Sequence, residues 1–423
     1  MSVSTVRVLG RKVLVTRPNG LQYGHLGLEM LMTLAQAKAE RAAVCFLPPP
    51  VIANEALFAL TTDDVQVLHP SAPLRAWFRC RWQLNDLAVV GAERLQEAST
   101  SFWLELYREL RRHSGDERLP ASLRQGLRRF SHRAIAAETA AGPDSEPLYY
   151  RRRLIRERVA THLPPHLAAQ ARETAAAIGI VPGAPIVSIH AREGGYKLGR
   201  EQQDRKPGKR DDSFRNARIE TYFDAVDHLV GQGYTVVRLG DASMTPVRRR
   251  GVIDLATSPR RTPAVEVFVL LASEFMVCSD AGLHVSDLTN TPRLTVNATE
   301  PISCYPVRSD GLYILKKVID LDTGRTLTLR DLLTDAYFRN LRNPTRYGYR
   351  DNTSEEIAEA VKEMQAGLRH GWHESDSQTC YRSLVAEAGM ALRRHIRYVA
   401  KWGPDGGFIG DGRVAKFYAD RLL

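Results

Sequence analysis

The sequence predicts an α/β protein made of two Rossmann-like domains that face a cleft, with a helical insertion and C-terminal helices. Short apolar strands alternate with helical patterns along most of the chain, and several of these strands end in charged, glycine-containing turns. A long helical pattern without strand signals interrupts this alternation at about 74–176. At 423 residues the chain is too long for one core. We therefore predict Rossmann-like domains at 1–180 and 181–350 and a helical segment at 351–423 that packs across both.

The first domain opens with a strand at 13–16, a loop and an Ala/Leu-rich helix that runs to about residue 40. Further strands are predicted at 43–47 and 65–68. The loop carries Gly24, His25 and Gly27 but lacks the GxGxxG pattern of dinucleotide-binding proteins. Gly24 and His25 are candidates for ligand contact at the crevice, and a glycine pair that only shapes a turn is the alternative.

The second domain begins with IVSIHAREGG at 186–195, the stretch around which the chain is organised. Its apolar residues predict a strand buried on both faces, and this strand ends abruptly at His190, Arg192 and Glu193. The carboxyl ends of strands in an open parallel sheet face the ligand crevice. A planar guanidinium there can hold phosphate oxygens in a bidentate fork, so Arg192 is the leading candidate, although a solvated loop with a salt bridge is the alternative.

The same pattern recurs twice further along the chain. A strand at 235–239 carries Arg238 near its end and is followed by Gly240 and Asp241. A strand at 275–278 runs into SDAGLH, a polar, glycine-containing turn whose free backbone N–H groups suit a phosphate. Strands at 253–255 and 294–296, of which the latter closes the series, and helices at 220–230 and 264–273 complete the domain. Thr353 and Glu356 predict a capping box at the start of a later helix.

Composition narrows the function classes. The net charge is +11 and the pI about 9.5, with 43% hydrophobic and 25% charged residues. We interpret the excess of basic residues first as a solvated surface and second as a binding surface for an acidic or phosphorylated ligand. Nucleic-acid binding is the last interpretation, because no nucleic-acid-binding motif is present. Five cysteines without metal-ligand spacing predict reduced thiols. With neither a signal-like segment nor a long apolar run, we expect a cytoplasmic protein without a membrane span.

An ordered set of motifs resembles a family of bacterial glycosyltransferases. The motifs are IVSIHAREGGY at 186–196, FRNARIETY at 214–222, VVRLGD at 236–241, CSDAGL at 278–283, LKK at 315–317 and NTSEEI at 352–357, with GHLGLE at 24–29 and GFIGDG at 407–412 in addition. More distantly, the order HxR, RxGD, SDxG is similar to fucosyltransferase-type enzymes of the two-Rossmann (GT-B) fold, which invert the anomeric centre and need no metal. The resemblance implies that 1–180 holds an acceptor and 181–350 a nucleotide-sugar donor.

The resemblance also implies residue roles. Arg192 would bind the donor diphosphate, and His190 would orient the same loop. The other implied donor contacts are Tyr196, Arg238, Gly240, Ser279, Asp280 and Gly282. Gly24 and Asn216 would line the acceptor side or the cleft. The general base is left open among Glu193, Asp241 and His25, in that order. His284 is interpreted as structural.

No metal or other cofactor is expected, because no DxD pair ends a predicted strand. The adjacent acids Asp63–Asp64 and Asp211–Asp212 are interpreted as caps or solvated charges. Two alternatives to a glycosyltransferase stay open. A sugar-nucleotide epimerase could use the same fold without an acceptor, and a non-catalytic protein could bind an anionic polymer through its basic surface. The sugar, nucleoside, acceptor and oligomeric state are not determined by these residues.

Overall fold

The computed structural model describes residues 3–8, 10–18, 23–48, 52–69, 155–181, 183–195, 213–279, 283–341, 343–392 and 409–422. The described residues up to Leu68 and from Ile155 onward belong to one compact unit. Most of the predicted helical insertion at 74–176 lies outside the described residues, as do Tyr196, Asp280 and Gly282. The division at residues 180 and 350 therefore stays a prediction.

A seven-stranded parallel sheet forms the centre of the described chain. Its strands are β7 (Ile186–His190), β8 (Thr235–Arg238), β9 (Val252–Asp254), β10 (Ser273–Cys278), β11 (Arg293–Ala298), β12 (Leu312–Leu315) and β15 (Arg413–Val414). They lie in the order β15-β12-β11-β10-β7-β8-β9, and every neighbouring pair is parallel. The chain adds two strands on one side of β7 and then returns to build the other side from β10, which is the order of a doubly wound Rossmann sheet.

A smaller sheet is built near the amino terminus from β1 (Val3–Val8), β2 (Arg11–Thr16), β3 (Ala43–Phe46) and β5 (Val67–Leu68). The first two strands form an antiparallel hairpin, and β2, β3 and β5 are parallel. Four short strands form two separate antiparallel pairs: β4 (Thr61–Thr62) with β6 (Thr161–His162), and β13 (Lys317–Asp320) with β14 (Tyr347–Arg350). The prediction of an α/β protein with two Rossmann-like sheets is confirmed at this level.

Ten α-helices are found among the described residues. They are α1 (Tyr23–Glu40), α2 (Pro165–Ala177), α3 (Phe223–Gly231), α4 (Pro263–Ala272), α5 (Leu283–Leu288), α6 (Leu329–Leu332), α7 (Asp335–Asn340), α8 (Ser354–His370), α9 (Asp376–Leu392) and α10 (Lys416–Leu422). Short 3₁₀ turns occupy Glu55–Ala59, Ser213–Arg215 and Ile219–Tyr222. No helix in these ranges is long and apolar enough to cross a membrane.

The large sheet divides the interior into two cores because side chains alternate between its faces. Val187 and Val277 belong to one core, which also contains α3, α8 and α10 residues, whereas Ile186 and Met276 belong to the other, together with α1, α2 and α4 residues. Burial on both faces explains why these strands are continuously apolar.

Helix α1 connects the small sheet to the large one. It follows β2 and packs against α5, and Gly27 lies at the crossing: a Cβ there would stand 2.9 Å from Val285 Cα and 3.0 Å from the carbonyl oxygen of His284. Gly24 lies three residues earlier, on the same face of α1. The close approach therefore places the amino-terminal half of α1 beside the helix that follows β10.

Several elements differ from the predictions. The series does not close at 294–296, because β12 and β15 extend the sheet beyond β11. The two-residue β15 has too little pattern to be recognised without its partner, and the hairpin strand β1 was not predicted either. The capping box is confirmed: Thr353 Oγ1 accepts from Glu356 N at 3.3 Å, and Glu356 Oε2 accepts from Thr353 N at 3.0 Å.

Candidate functional site

The loops that follow β7 and β10 meet at the point where the sheet reverses its strand order. Ser279 N donates to the His190 carbonyl oxygen at 3.0 Å, and Arg192 N donates to Ser279 Oγ at 2.8 Å. In an open parallel sheet, the two connections leave such a point in opposite directions, so a crevice opens between them. The structure therefore brings His190, Arg192 and Ser279 together at the predicted place.

The guanidinium of Arg192 is nearly buried, and its Nη1 donates to Asn216 Oδ1. Asn216 lies immediately after the 3₁₀ turn Ser213–Arg215 and is itself held through its carbonyl oxygen, which accepts from Lys316 Nζ at 2.5 Å. A fixed guanidinium loses little side-chain entropy when it binds an anion. Asn216 thus belongs to the Arg192 side of the crevice.

Lys316 links this group to the start of α8. Its Nζ donates to Asp351 Oδ1 at 2.8 Å, and Asp351 Oδ2 accepts from Arg218 N at 2.9 Å. The next residue, Asn352, exchanges two hydrogen bonds with Asn297 at the end of β11. Sequence reasoning gave Lys316, Asp351, Asn352 and Asn297 no role, although the recognised motifs LKK and NTSEEI contain Lys316 and Asn352.

Arg238 has no exposed surface, and two carboxylates hold it. Its Nη2 donates to Glu193 Oε1 at 2.7 Å and its Nη1 to Asp254 Oδ2 at 3.1 Å. Burial of a guanidinium requires such pairing, because an unpaired buried charge is strongly destabilising. The Arg238 side chain is covered by the loops and exposes no atom to the crevice. Its predicted role as a contact to the sugar donor therefore stays a prediction.

Both oxygens of Glu193 are engaged. Oε1 accepts from Arg238, and Oε2 accepts from Thr245 N at 2.9 Å and from Thr245 Oγ1 at 3.2 Å. The carboxylate therefore joins the loop after β7 to the loop after β8. This geometry favours a structural role over the predicted role of first-choice base, which remains untested.

Two glycines allow close packing in these loops. A Cβ at Gly195 would stand 2.5 Å from Ser243 Oγ, and a Cβ at Gly240 would overlap the side chain of Met244. Gly240 thus serves packing between β8 and the loop that follows it.

Asp241, the second candidate base, is partly exposed in the loop that follows β8. Its Oδ1 accepts from Ser243 N at 2.9 Å and from Ser243 Oγ, as in a turn closed by an aspartate. Asp241 also lies in the electrostatic surroundings of His190. Glu193 and Asp241 are both partly exposed at this edge of the large sheet, but an ion pair with Arg238 holds Glu193, whereas Asp241 accepts from Ser243 of its own turn.

His190 ends β7 with an uncharged ring. Burial, followed by the positive charge of Arg238, lowers its pKa from 6.5 to about 4, while Asp241 opposes this shift. Its buried Nδ1 has no hydrogen-bond partner among the described residues. A neutral imidazole with a free nitrogen can exchange a hydrogen bond with a ligand without adding charge.

The other predicted residues are His25, His284 and three residues outside the described ranges. His25 is partly exposed in the first turn of α1, two residues before Gly27, which contacts α5. Tyr196, Asp280 and Gly282 lie outside the described residues. His284 Nδ1 lies 2.9 Å from Asp287 Oδ2, and its structural role stays a prediction.

Of the adjacent acids considered as metal ligands, Asp63 and Asp64 form ion pairs. Asp63 contacts His162 at 2.9 Å and Asp64 contacts Lys38 at 3.0 Å, whereas Asp211 and Asp212 lie outside the described ranges. No group of three or more His, Cys, Asp or Glu side chains suited to a metal ion occurs in the described part of the chain. Cys45, Cys278 and Cys304 are buried and form no disulfide bond.

No family model matches the chain, and no curated protein matches it. Several solved structures are similar to it. Escherichia coli ADP-heptose LPS heptosyltransferase II shares 15% identity over 67% of this chain and 83% of its own, with a TM-score of 0.32. The dodecameric iron-containing heptosyltransferase TibC, in complex with ADP-D-β-D-heptose, shares 13% identity over 86% and 79%, with a TM-score of 0.38.

The third is a family 9 glycosyltransferase from Veillonella parvula, with 11% identity over 83% of this chain and 96% of its own and a TM-score of 0.38. All three likenesses are distant. The assignment of the Rossmann-type order rests on the sheet itself.

Replacement of Glu193 by Gln should destabilise the fold. The amide NH₂ group of the glutamine would face an N–H group of either Arg238 or Thr245. The buried Arg238 guanidinium would also lose one of the two carboxylates that neutralise its charge. We expect the free energy of unfolding to fall by about 1.5–3 kcal/mol in urea titrations. The matched control is Asp227→Asn, which breaks an exposed pair with Arg249 and should cost less than about 1 kcal/mol. Equal effects of the two variants would contradict the structural role of Glu193.

The low pKa of His190 should make stability depend on pH. Between pH 6.5 and 4 the unfolded chain binds a proton that the folded protein excludes, so stability falls as the pH falls through this window. From pH 7 to pH 5 this contribution is about 1–2 kcal/mol. Urea titrations of His190→Gln should show a correspondingly weaker pH dependence than the wild type, whereas His166→Gln, at an exposed position, should match the wild type. An unchanged slope in His190→Gln would contradict the assignment.

Proposed function

We propose that this protein is a nucleotide-sugar-dependent glycosyltransferase that transfers a sugar from a nucleoside diphosphate to an acceptor. The observation that carries the proposal is Arg192 at the reversal point of the parallel sheet, with its backbone bonded to Ser279 and its guanidinium bonded to Asn216. Ligands bind at such a point in open α/β sheets, and a guanidinium suits a diphosphate. The ordered motifs at 186–196, 214–222, 236–241 and 278–283 support transfer of a sugar in particular.

The reaction requires displacement at the anomeric carbon. A base takes the proton of the acceptor hydroxyl, the acceptor oxygen bonds to the anomeric carbon, and the bond from that carbon to the diphosphate oxygen breaks. The leaving diphosphate gains negative charge, and we assign its stabilisation to Arg192. We propose Asp241 as the base, because it is partly exposed at the crevice edge while Glu193 is held by Arg238 and Thr245.

A single displacement inverts the anomeric configuration, and charge stabilisation by Arg192 needs no metal ion. We therefore propose an inverting, metal-independent reaction, in which 1–180 holds the acceptor and 181–350 the donor. Turnover that persists in EDTA and a product of inverted configuration by NMR would agree with this mechanism. Loss of turnover in EDTA that is restored by Mg²⁺ would contradict it.

Thermal denaturation with a panel of nucleoside diphosphates and nucleotide sugars tests the donor site. A ligand at 100 times its Kd should add about 2.7 kcal/mol to the stability of the wild type and raise its Tm. Arg192→Ala should lose this stabilisation. The control Arg330→Ala removes the same charge from an exposed position and should retain it.

The outcomes of this panel separate the alternatives. If no nucleotide stabilises the wild type, the glycosyltransferase proposal fails. A donor that isomerises without acceptor would indicate an epimerase. Binding to an anionic polymer that collapses steeply between low and physiological salt would indicate a polymer-binding protein, because a ligand enclosed in a cleft is much less sensitive to salt.

Replacement of Asp241 by Asn should separate catalysis from binding. The amide oxygen can still accept from Ser243 N, so the turn should persist, while the base is lost. We expect kcat to fall by about 10²–10⁴-fold with little change in donor Kd or in Tm. A variant with near-normal kcat would exclude Asp241 as the base and return attention to His25.

A further inference from the structure

Arg261 lies in the connection between β9 and α4, where a buried carboxylate holds it. Its Nε donates to an oxygen of Glu266, which is 6% exposed. The Arg261 side chain itself is 30% exposed, and its Nη1 and Nη2 groups have no hydrogen-bond partner among the described residues. A guanidinium carries five N–H donors, so the bond to Glu266 leaves the four on Nη1 and Nη2 for another acceptor. Arg261 was not assigned a function from the sequence.

Glu266 is fixed on its other side by the amino-terminal part of the chain. Asn54 Nδ2 donates to Glu266 Oε2 at 3.0 Å and to the Pro263 carbonyl oxygen at 3.1 Å. Asn54 is itself buried, and its Oδ1 accepts from Ala56 N at 3.0 Å at the start of a 3₁₀ turn. Both oxygens of the carboxylate are therefore engaged, and the guanidinium that it holds is oriented before a ligand arrives. Such preorganisation reduces the entropy that is lost on binding.

Arg261 lies at the crevice edge of the large sheet. The connection that carries it follows β9, so it leaves the same carboxyl edge as the loops after β7 and β8. Asp241 lies in the electrostatic surroundings of Glu266. Arg261 and Glu266 in turn belong to the surroundings of Tyr23, the first residue of α1. The exposed guanidinium is therefore near both the proposed base and the amino-terminal elements.

The position of Arg261 also differs from that of the proposed diphosphate contact. Arg192 follows β7, whereas Arg261 follows β9, two strands further along the sheet. Neighbouring strands lie about 4.8 Å apart, so the ends of β7 and β9 are separated by about 10 Å. This separation exceeds the span of a diphosphate. It favours a second anionic group over a second contact to the same diphosphate.

We propose that Arg261 forms a subsite for a carboxylate or phosphate group of the acceptor. A guanidinium suits both groups, because it makes charge-assisted hydrogen bonds to paired oxygens. The acceptor hydroxyl has to reach the base, which we assign to Asp241, and Arg261 lies near that base and near residues of the predicted acceptor domain at 1–180. The net charge of +11 agrees with an acidic ligand. This inference rests on the proposed function and adds the chemical class of the acceptor.

Inorganic phosphate serves as the probe of the subsite. Its Kd is measured from the rise in Tm at constant ionic strength, with and without the nucleoside diphosphate that stabilises the wild type. We expect Arg261→Gln to weaken phosphate binding about 10-fold, because charge-assisted hydrogen bonds are lost. The control is Arg260→Gln, which removes the same charge from the adjacent, exposed position and should keep the wild-type Kd.

Arg261→Lys provides a second variant, because Arg261→Gln leaves the buried Glu266 carboxylate without its cation. Lysine keeps a cation for that carboxylate, so the Tm of this variant should stay closer to that of the wild type. An ammonium group engaged by Glu266 has no planar fork to offer, so phosphate binding should weaken here too. In both variants the Kd of the nucleoside diphosphate should be unchanged.

Three results would overturn the subsite while the proposed function stands. One is a phosphate Kd in both variants that equals that of Arg260→Gln. The second is a Kd for the nucleoside diphosphate weakened as much as in Arg192→Ala, which would place Arg261 in the donor site. The third is weakened binding of a nucleotide sugar that carries a carboxylate, with its neutral counterpart unaffected, which would assign the anion to the donor sugar. Absence of nucleotide binding to the wild type would instead overturn the proposed function, and the assignment to an acceptor with it.

Discussion

The candidate site depends on one contact, the hydrogen bond from Arg192 N to Ser279 Oγ, made where the sheet reverses its strand order. At this point the chain leaves β7 toward one side and β10 toward the other, so the two loops have no continuous ladder to hold them together. The hydrogen bond, together with that from Ser279 N to the His190 carbonyl oxygen, sets their spacing. Every further contact of the site is built outward from this junction.

On one side of this junction, Arg238, Glu193 and Asp254 form a buried charge cluster. Arg238 compensates Glu193 and Asp254, and Asp254 also accepts from Val247 N at 2.8 Å. Such clusters contribute little net stability compared with an apolar core, but they are specific, because each partner is destabilising when it is left alone. Here the specificity sets the loops after β7 and β8 in register with each other. We therefore regard Glu193 and Arg238 as residues that position the crevice.

In the other direction a polar chain runs from Arg192 through Asn216 and Lys316 to Asp351. These residues are distant in sequence, and each follows a different element, so the chain forms only in the folded protein. It connects the proposed diphosphate contact to the start of α8. The C-terminal helices are thereby joined to the functional edge of the sheet.

The sequence by itself determined the α/β class, most strands of the large sheet and the position of Arg192, because continuous apolar runs that end in charge are a local signal. It did not determine which of the charged residues remain available for contact with a ligand. Glu193 and Arg238 look alike in the sequence as strand-end charges, yet tertiary structure pairs them with each other and leaves Asp241 partly exposed. The two-residue β15 and the roles of Lys316, Asp351 and Asn297 were likewise decided only in the fold, since pairing between distant segments carries no periodic signal along the chain.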